Sequence, residues 1–275
     1  MIPAPFGYAR AGSVDEAISL LTEHADAKII AGGHSLLPLM RLRLARPSML
    51  VDVSRLEDLK YVREDGDRIA IGALTRHHDV ANSHVLQELC PIVAYTAGEI
   101  GDPQVRHVGT IGGSCAHADP ASDMPSVLLA LGADVVIRGP GGSTRTVEAA
   151  DFFRGLFEPD LAPNEVLAEI RVPKTAGRGW SYLKFHRRAQ DWALVGVAAL
   201  TGDGGPSVAL TNMADRPVRA TGVEEALAGG ADPTTAAERA AEGTSPPTDA
   251  FASAEYRKEL AKVLVRRALE EAMSR

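Results

Sequence analysis

Two short stretches, AGGHS at residues 31–35 and TIGGS at residues 110–114, share one pattern: an apolar lead, two glycines and a hydroxyl side chain. Glycine allows the backbone to approach a ligand closely, and successive N–H groups in such a turn can form a nest for an anion. Two such loops could bind a diphosphate from both sides. For each stretch taken alone, the alternative is a plain tight turn that binds no ligand. Neither stretch matches the dinucleotide-binding fingerprint or the P-loop, so those sites are not indicated.

The residues around the first loop predict a strand, a turn and a helix, in that order. Lys28–Ala31 is a short apolar strand, and residues 36–44 have helical character. Phosphate-binding loops are built in the same order. Further towards the N-terminus, Ser13 and Glu16 have the spacing of a capping box, which predicts a helix over residues 14–24.

The rest of the chain predicts an α+β fold in which strands pair locally and helices are interleaved irregularly. The Asp-Gly pair at residues 65–66 predicts a β-hairpin. Residues 100–123 contain four glycines and two prolines with almost no periodicity, which indicates either a long functional loop or elements that the pattern does not reveal. Residues 174–179 are the predicted inter-domain linker. Further helices or strands are predicted at residues 49–53, 85–99, 125–131, 134–138, 166–172, 182–185, 195–200 and 208–211, with a last helix to about residue 272.

Composition excludes several classes of protein and site. The 275 residues are enough for one large or two modest domains with a buried core. A net charge of −7 argues against a nucleic-acid binder, because such binding depends largely on basic side chains. Two cysteines exclude a disulfide framework and any all-cysteine iron–sulfur or zinc site within this chain. With no long apolar run and no basic signal region at the N-terminus, we expect a cytoplasmic protein without a membrane span.

Taken together, AGGHS and TIGGS resemble the FAD-binding medium subunit of the molybdenum hydroxylases, the carbon monoxide dehydrogenase and xanthine dehydrogenase family. The resemblance covers essentially the whole chain. It implies a vanillyl-alcohol-oxidase (PCMH)-type FAD-binding domain over residues 1–174, with two subdomains divided near residue 54. A smaller C-terminal α/β flavoprotein domain is implied over residues 175–275. In that family the two glycine loops hold the FAD diphosphate, so the implied cofactor is FAD.

The resemblance also implies FAD-binding residues outside the two motifs. Asp123 matches an aspartate near the ribose and adenine side of FAD, and His117 falls close to the flavin ring. Leu167 matches an apolar residue against the flavin, Lys184 a lysine that approaches the isoalloxazine, and Trp192 an aromatic residue beside the ring. The implied set contains no catalytic residue and no metal ligand. It consists of Ile29, Ile30, Ala31, Gly32, Gly33, His34, Ser35, Leu36, Thr110, Ile111, Gly112, Gly113, Ser114, His117, Asp123, Leu167, Lys184 and Trp192.

Each residue outside the motifs also has an ordinary structural explanation. Asp123 fits the cap of the helix that follows it, and His117 fits a surface loop. Leu167 fits a core position, Lys184 a solvated strand position, and Trp192 a core tryptophan. Both explanations stay open for these residues at this point.

The sequence also suggests environments for several residues outside the implied FAD-binding set. Residues 71–75 resemble a family segment near the cofactor, although Thr75 fits equally as a cap for a helix beginning at Arg76. A thiolate at Cys115 could react with flavin or bind a metal, but a small buried hydrophobe is the favoured interpretation. Cys90 is predicted to lie in a helix, within the core. The basic residues predicted on a solvated face of the last helix are Arg257, Lys258, Lys262, Arg266 and Arg267.

The function that the resemblance implies is electron transfer within a molybdenum hydroxylase complex. A molybdopterin-containing large subunit would oxidise the substrate. A small subunit with [2Fe–2S] clusters would pass the electrons through FAD in this chain to an external acceptor. These partners imply a heterotrimer, alone or dimerised. The substrate stays open among carbon monoxide, aldehydes, heterocycles and purines, and the acceptor among NAD, quinone and oxygen.

Two other functions are compatible with the motifs. Some self-contained flavin oxidases attach FAD covalently through the histidine of a Gly-Gly-His turn, and residues 32–34 have that form, which makes His34 the attachment site in this alternative. A flavin-containing sensor or assembly protein is the third possibility, and it would be isolated without partner subunits.

Overall fold

The computed structural model describes residues 2–275. Its N-terminal part contains helices α1 (Val14–Glu23) and α2 (Leu36–Arg41) and a parallel sheet whose three strands lie in the order β1 (Gly7–Arg10), β3 (Met49–Asp52) and β2 (Lys28–Ile30). Helix α1 begins where the sequence predicts, because the Ser13 hydroxyl accepts a hydrogen bond from the Glu16 N–H. Helix α2 ends at Arg41, before the predicted residue 44, and Arg43 adopts a left-handed φ of +59°.

An antiparallel sheet of five strands and a group of short helices follow. The hairpin predicted at the Asp-Gly pair is present, with Asp65 opposite Arg68 and Gly66 at a φ of +63°. The elements are a 3-10 helix (Glu57–Leu59), β4 (Val62–Asp65), β5 (Arg68–Gly72), α3 (His77–Ala81), α4 (His84–Leu89), α5 (Pro91–Gly98), α6 (Pro103–Val108), α7 (Ile111–His117), α8 (Asp123–Leu131), β6 (Asp134–Arg138), a 3-10 helix (Pro140–Gly142), β7 (Thr144–Glu148), α9 (Ala149–Phe152), β8 (Phe153–Gly155), β9 (Glu158–Pro159) and β10 (Val166–Pro173). The sheet has the order β4-β5-β10-β6-β7, and β8 pairs with β9.

Of the two possibilities for residues 100–123, the long loop is wrong, and elements that the pattern does not reveal are present. Helices α6 and α7 occupy most of this range, and each has a side-chain cap. Asp102 accepts from the Val105 N–H at the start of α6, and Thr110 accepts from the Gly113 N–H at the start of α7. Capping stabilises both short helices, although α7 contains two glycines and neither segment shows a clear hydrophobic periodicity.

The C-terminal part is a four-stranded antiparallel sheet covered by a long helix. The strand order is β11-β12-β13-β14, and the last helix packs on β11 and β12. Arg257 lies on the packed face and is fully buried, so the prediction that it belongs to a solvated face is wrong. The elements are β11 (Gly179–Phe185), β12 (Val195–Thr201), β13 (Ser207–Thr211), β14 (Val218–Arg219), α10 (Thr221–Ala228), α11 (Pro233–Ala237) and α12 (Ala254–Ser274).

Helix α8 connects the two larger sheets through the largest apolar cluster. Met124 and Leu128 of α8 lie in one buried cluster with Tyr182 and Leu200 of the C-terminal sheet. Between the two sheets, residues 174–178 belong to no helix or strand. The core is continuous across this connection. The C-terminal sheet therefore packs directly against α8, which follows the second glycine stretch. No helix in residues 2–275 is long and apolar enough to cross a membrane.

Candidate functional site

The first glycine loop joins the end of β2 to the start of α2. Gly33 has a φ of +72°, in the left-handed region that favours glycine. The Nδ1 atom of His34 lies 3.0 Å from the Gly32 carbonyl oxygen, and Nδ1–H donates to it because a carbonyl can only accept. Within residues 2–275, the N–H groups of Gly33, His34 and Ser35 make no hydrogen bond, and the Ser35 hydroxyl does not cap α2. The loop therefore offers successive free donors, which the nest hypothesis requires.

The second glycine stretch differs from the predicted nest because it forms the first turn of α7. The Thr110 hydroxyl accepts from the Gly113 N–H at 3.1 Å. The N–H groups of Ile111 and Gly112 donate to backbone carbonyl oxygens of residues 73–75. These donors are already used within the protein, so the prediction of a second backbone nest is wrong.

The two glycines of each pair have different surroundings. A Cβ added to Gly32 would lie 2.3 Å from the Val108 carbonyl oxygen, and one added to Gly112 would lie 2.6 Å from the Ala73 carbonyl oxygen. A Cβ added to Gly113 would meet only the hydroxyl that caps the helix, at 2.8 Å. The first glycine of each pair thus permits close backbone packing, whereas Gly113 leaves an open face. The Gly32 contact also brings the first loop against the chain immediately before the second.

The segment that resembles a cofactor-passing stretch, residues 71–75, lies beneath the second loop. Thr75 does not cap α3, because its hydroxyl accepts from the Tyr61 N–H and donates to the Tyr61 carbonyl oxygen, at 3.1 and 3.0 Å. The capping alternative for Thr75 is therefore wrong. Its hydrogen bonds join this segment to the strand region before β4 and hold the backbone that supports α7.

Asp123 and Lys184 form a buried ion pair between α8 and β11. The Lys184 Nζ lies 2.9 Å from one carboxylate oxygen of Asp123 and also donates to the Glu99 carbonyl oxygen. The Tyr182 hydroxyl donates to the other carboxylate oxygen at 2.6 Å. Burial raises the pKa of the Asp123 carboxyl, and the Lys184 ammonium acts in the opposite direction. Ser122 occupies the cap position of α8, so the alternatives of Asp123 as a cap and Lys184 as a solvated residue are both wrong.

The remaining predicted residues outside the motifs, which are His117, Leu167 and Trp192, lie outside the buried ion pair and differ from one another in burial. His117 is half-buried, with its ring centroid 5.0 Å from that of Phe157, and burial lowers the pKa of its imidazole. Leu167 is buried in β10, as its core alternative also predicts. Trp192 is 56% exposed on the loop between β11 and β12, so the alternative of a core tryptophan is wrong.

Hydrogen bonds connect these parts around one region of the molecule. The Ser114 hydroxyl, at the second loop, lies 2.8 Å from the Ser122 hydroxyl, next to Asp123. The Asn212 N–H donates to the Pro120 carbonyl oxygen, and its side-chain amide donates to the Ala193 carbonyl oxygen beside Trp192. The structure therefore links the second loop, the buried ion pair and the tryptophan loop.

Both cysteines are buried and free. Cys115 lies inside α7, and Cys90 lies between α4 and α5 rather than within a helix. Burial raises the pKa of each thiol to about 12, which keeps both protonated at neutral pH. Both behave as small core residues. Residues 2–275 contain no group of three or more His, Cys, Asp or Glu side chains placed to hold a metal ion.

These observations fit a flavin dinucleotide. Free N–H donors in the first loop suit the negative charge of a diphosphate, and the open face of Gly113 permits close approach at the second. A half-exposed aromatic side chain and a buried cation lie on elements linked to that region.

Sequence reasoning missed three residues that organise this region. Tyr182 stands two positions before Lys184 on the same strand, so strand alternation could have placed both hydroxyl and ammonium on one face. Arg257 precedes Ala261, Leu264 and Ala268 at helical spacing, which marks a buried face. Asn212, with a φ of +62°, has no comparable sequence signal.

Two family models match the chain. Residues 4–175 match the FAD binding domain in molybdopterin dehydrogenase, and residues 180–272 match the CO dehydrogenase flavoprotein C-terminal domain. Together these models cover nearly the full length described by the structure.

Curated relatives match over the whole length. The carbon monoxide dehydrogenase medium chain of Hydrogenophaga pseudoflava is 42% identical, covering 100% of this chain and 99% of the relative. The glyceraldehyde dehydrogenase medium chain of Sulfolobus acidocaldarius is 38% identical, covering 98% and 99%. Both relatives are named as chains of multi-chain dehydrogenases, which does not favour a self-contained oxidase with FAD attached at His34.

Solved structures agree. The carbon monoxide dehydrogenase from Hydrogenophaga pseudoflava superposes with a TM-score of 0.95 at 42% identity, covering 100% of this chain and 99% of that chain. Quinoline 2-oxidoreductase from Pseudomonas putida 86 gives 0.93 at 33% identity, with the same coverage. The PCMH-type fold with a C-terminal flavoprotein domain is thereby confirmed, as is FAD as cofactor. The chain belongs to the FAD-binding medium-subunit family of the molybdenum hydroxylases, and it is an oxidoreductase subunit.

Proposed function

We propose that this medium subunit accepts electrons from [2Fe–2S] clusters of a small partner subunit and delivers them to an external acceptor, while a molybdopterin-containing large subunit oxidises the substrate. Bound FAD supplies a junction between one-electron donors and a two-electron acceptor. A cluster of this kind takes four ligands, and this chain has only two cysteines, both of them buried. The clusters therefore belong to another chain, and the complex is cytoplasmic.

The proposal assigns FAD binding to the residues that the family resemblance implies. The observation that supports it most is the packing of Gly32 on the Val108 carbonyl, because it brings the two glycine motifs to one place. The free N–H groups of the first loop would hold the diphosphate. Lys184, fixed by Asp123, would provide a cation towards the flavin. We also propose the domain boundary between residues 174 and 175, with the subdomain division near residue 54.

Acid precipitation and a glycine variant test the site. The purified chain should release its FAD into the supernatant, because no covalent bond retains it. Gly113→Val should lose FAD, since the added isopropyl group would occupy the space beside the diphosphate and would also displace the Thr110 hydroxyl that caps α7. Gly98→Val is the matched control, because nothing lies within 4 Å of a Cβ at that position. Full flavin occupancy in Gly113→Val would contradict the site.

Purification from the native source tests the partners. The chain should elute with a larger molybdenum-containing chain and with a small chain rich in cysteine. Reduction of the complex by its substrate should then bleach the flavin absorbance. Persistent isolation as a monomer that responds to a ligand alone would instead favour the sensor hypothesis.

A further inference from the structure

The loop that carries Trp192 joins β11 to β12. Its backbone is held in place at the β12 end, two residues after the indole. The Leu194 N–H donates to the Phe185 carbonyl oxygen at 2.8 Å and closes the loop. Ala193 is 1% exposed and Leu194 is 7% exposed, whereas the preceding Trp192 is 56% exposed. The backbone is therefore held inside the protein directly after an aromatic side chain that projects outward.

Arg257 of α12 makes the contact that holds this backbone from the protein side. Its Nη1–H donates to the Leu194 carbonyl oxygen, and its Nη2–H donates to an Asp249 carboxylate oxygen at 2.6 Å. The Arg257 side chain is 0% exposed, while that of Asp249 is 39% exposed. The guanidinium thus connects a loop to a carboxylate that still touches solvent.

A fully buried guanidinium has a large desolvation cost that an apolar core residue does not have. Removing a charged group from water costs several kcal/mol, and an apolar side chain of similar volume often stabilises a core equally well. Here the Nε–H has no partner within residues 2–275, so Arg257 is not even fully satisfied. What the guanidinium provides, and an apolar side chain does not, is a planar group of donors that holds one carbonyl and one carboxylate at fixed positions.

The segment that supplies Asp249 is itself rigid and touches the same loop. The second carboxylate oxygen of Asp249 accepts from the N–H groups of Phe251 and Ala252. The Arg187 guanidinium carbon, on the tryptophan loop, lies 5.4 Å from the centroid of the Phe251 ring. Residues 249–252 and the start of α12 therefore contact the loop on both sides of Trp192.

We propose that Arg257, held by Asp249, is a positioning residue that fixes the Trp192 loop at the flavin site. The proposal rests on the placement of Trp192 beside the flavin given under the proposed function. The α12 helix would act on the flavin environment through the backbone of the tryptophan loop, without contacting FAD itself.

Two readouts on the full chain with FAD bound test this proposal. The first is trypsin cleavage after Arg187 or Arg188, followed by fragment mass. Arg257→Met keeps an apolar stem but loses both hydrogen bonds, so cleavage there should become at least tenfold faster, since the loss of a single hydrogen bond to a charged group already shifts a local opening equilibrium by about tenfold. Arg266→Met, on the exposed side of the same helix, should be cleaved at the wild-type rate.

The second readout is flavin fluorescence, which a purely structural role would leave unchanged. An indole beside the ring quenches flavin emission, so Trp192→Ala should raise it, and Arg257→Met should raise it with no further increase in the double variant. If Arg257→Met does not fold, Asp249→Asn tests the same anchor and should show a smaller rise.

Wild-type cleavage and wild-type fluorescence in Arg257→Met would overturn the proposal. Faster cleavage with unchanged fluorescence in both Arg257→Met and Trp192→Ala would also overturn it, because Trp192 would then not lie at the flavin. In that case the flavin content of the wild-type chain distinguishes the two failures: a full complement of FAD leaves the electron-transfer proposal intact, and a wild-type chain without FAD contradicts both.

Discussion

His77 is a buried histidine without a partner for one ring nitrogen, directly beside the second glycine stretch. Its backbone N–H donates to the Gly109 carbonyl oxygen, and its Nδ1 makes no hydrogen bond. Burial, together with the positive charge of Arg106, lowers the pKa of its imidazole to about 4. The folded protein therefore holds this imidazole in its neutral form at neutral pH.

This predicts a pH dependence of stability. The pKa of His77 is lower in the folded chain than the value of about 6.5 in the unfolded chain, so only the unfolded chain takes up the proton between these values. The contribution of neutral His77 to the free energy of unfolding should be fully present above about pH 6.5. It should be lost, by about 3 kcal/mol, as the pH decreases to about 4. Urea unfolding at several pH values measures this.

His77→Gln should remove this part of the pH dependence, because the amide does not titrate. His84→Gln is the matched control, since His84 is exposed and its replacement should leave the slope as in the wild type. An equal slope in His77→Gln and the wild type would show that another group is responsible.

Sequence reasoning at the residue scale fails where a side chain's environment depends on distant partners. At residues 32 and 112 glycine is required by close contacts with the protein's own backbone, whereas the motifs predicted close approach to a ligand. Arg257 was expected on a solvated helix face, and a solvated strand position was the alternative for Lys184, yet both side chains are buried against carboxylates. Asp249 lies eight residues before Arg257, and Asp123 lies 61 residues before Lys184, so strand or helix periodicity cannot pair either of them.

At the scale of elements, α7 depends on one capping hydroxyl. Thr110→Ala should lower the free energy of unfolding by about 1 kcal/mol, because the Gly113 N–H loses its acceptor. The variant should also bind FAD more weakly, since the glycines of this turn become less ordered. Chemical denaturation and flavin titration measure the two effects.

Thr110→Ser is the matched control for this helix, because it keeps the hydroxyl at the same position. We expect its stability and FAD affinity to stay close to the wild type. Equal losses in Thr110→Ser and Thr110→Ala would mean that the methyl group, not the cap, supports α7.

Elements were predictable where the signal was local. The helix over residues 14–23 and the hairpin at residues 65–66 follow from a cap and a turn dipeptide, and both are present. Helices α6 and α7 were missed because their few apolar residues lie among glycines and prolines. Only the caps at Asp102 and Thr110 reveal them.

At the scale of the whole molecule, the ion pair between Asp123 and Lys184 joins the FAD-binding part to the C-terminal sheet. Lys184→Met should reduce the free energy of unfolding by about 3–5 kcal/mol, because it leaves a buried carboxylate without its cation. Thermal unfolding should show this loss. FAD should also bind more weakly, since the same pair lies at the linked site.

Lys262→Met provides the comparison, because its partners Glu238 and Glu259 are largely exposed and lie within the C-terminal part. Its stability should change by less than about 1 kcal/mol. A similar loss in both variants would indicate that removal of any lysine charge, rather than the buried pair, determines the effect.

The burial of both thiols has a practical consequence for following this subunit in its complex. Since Cys90 and Cys115 are the only cysteines and neither is exposed, the folded chain has no thiol that reacts readily with alkylating reagents. A cysteine introduced at one exposed position would then be the single attachment point for a spin label or a fluorophore. Distances from such a label to the flavin and to the iron–sulfur clusters of the proposed small subunit would map how the subunits are arranged, with the native sequence otherwise intact.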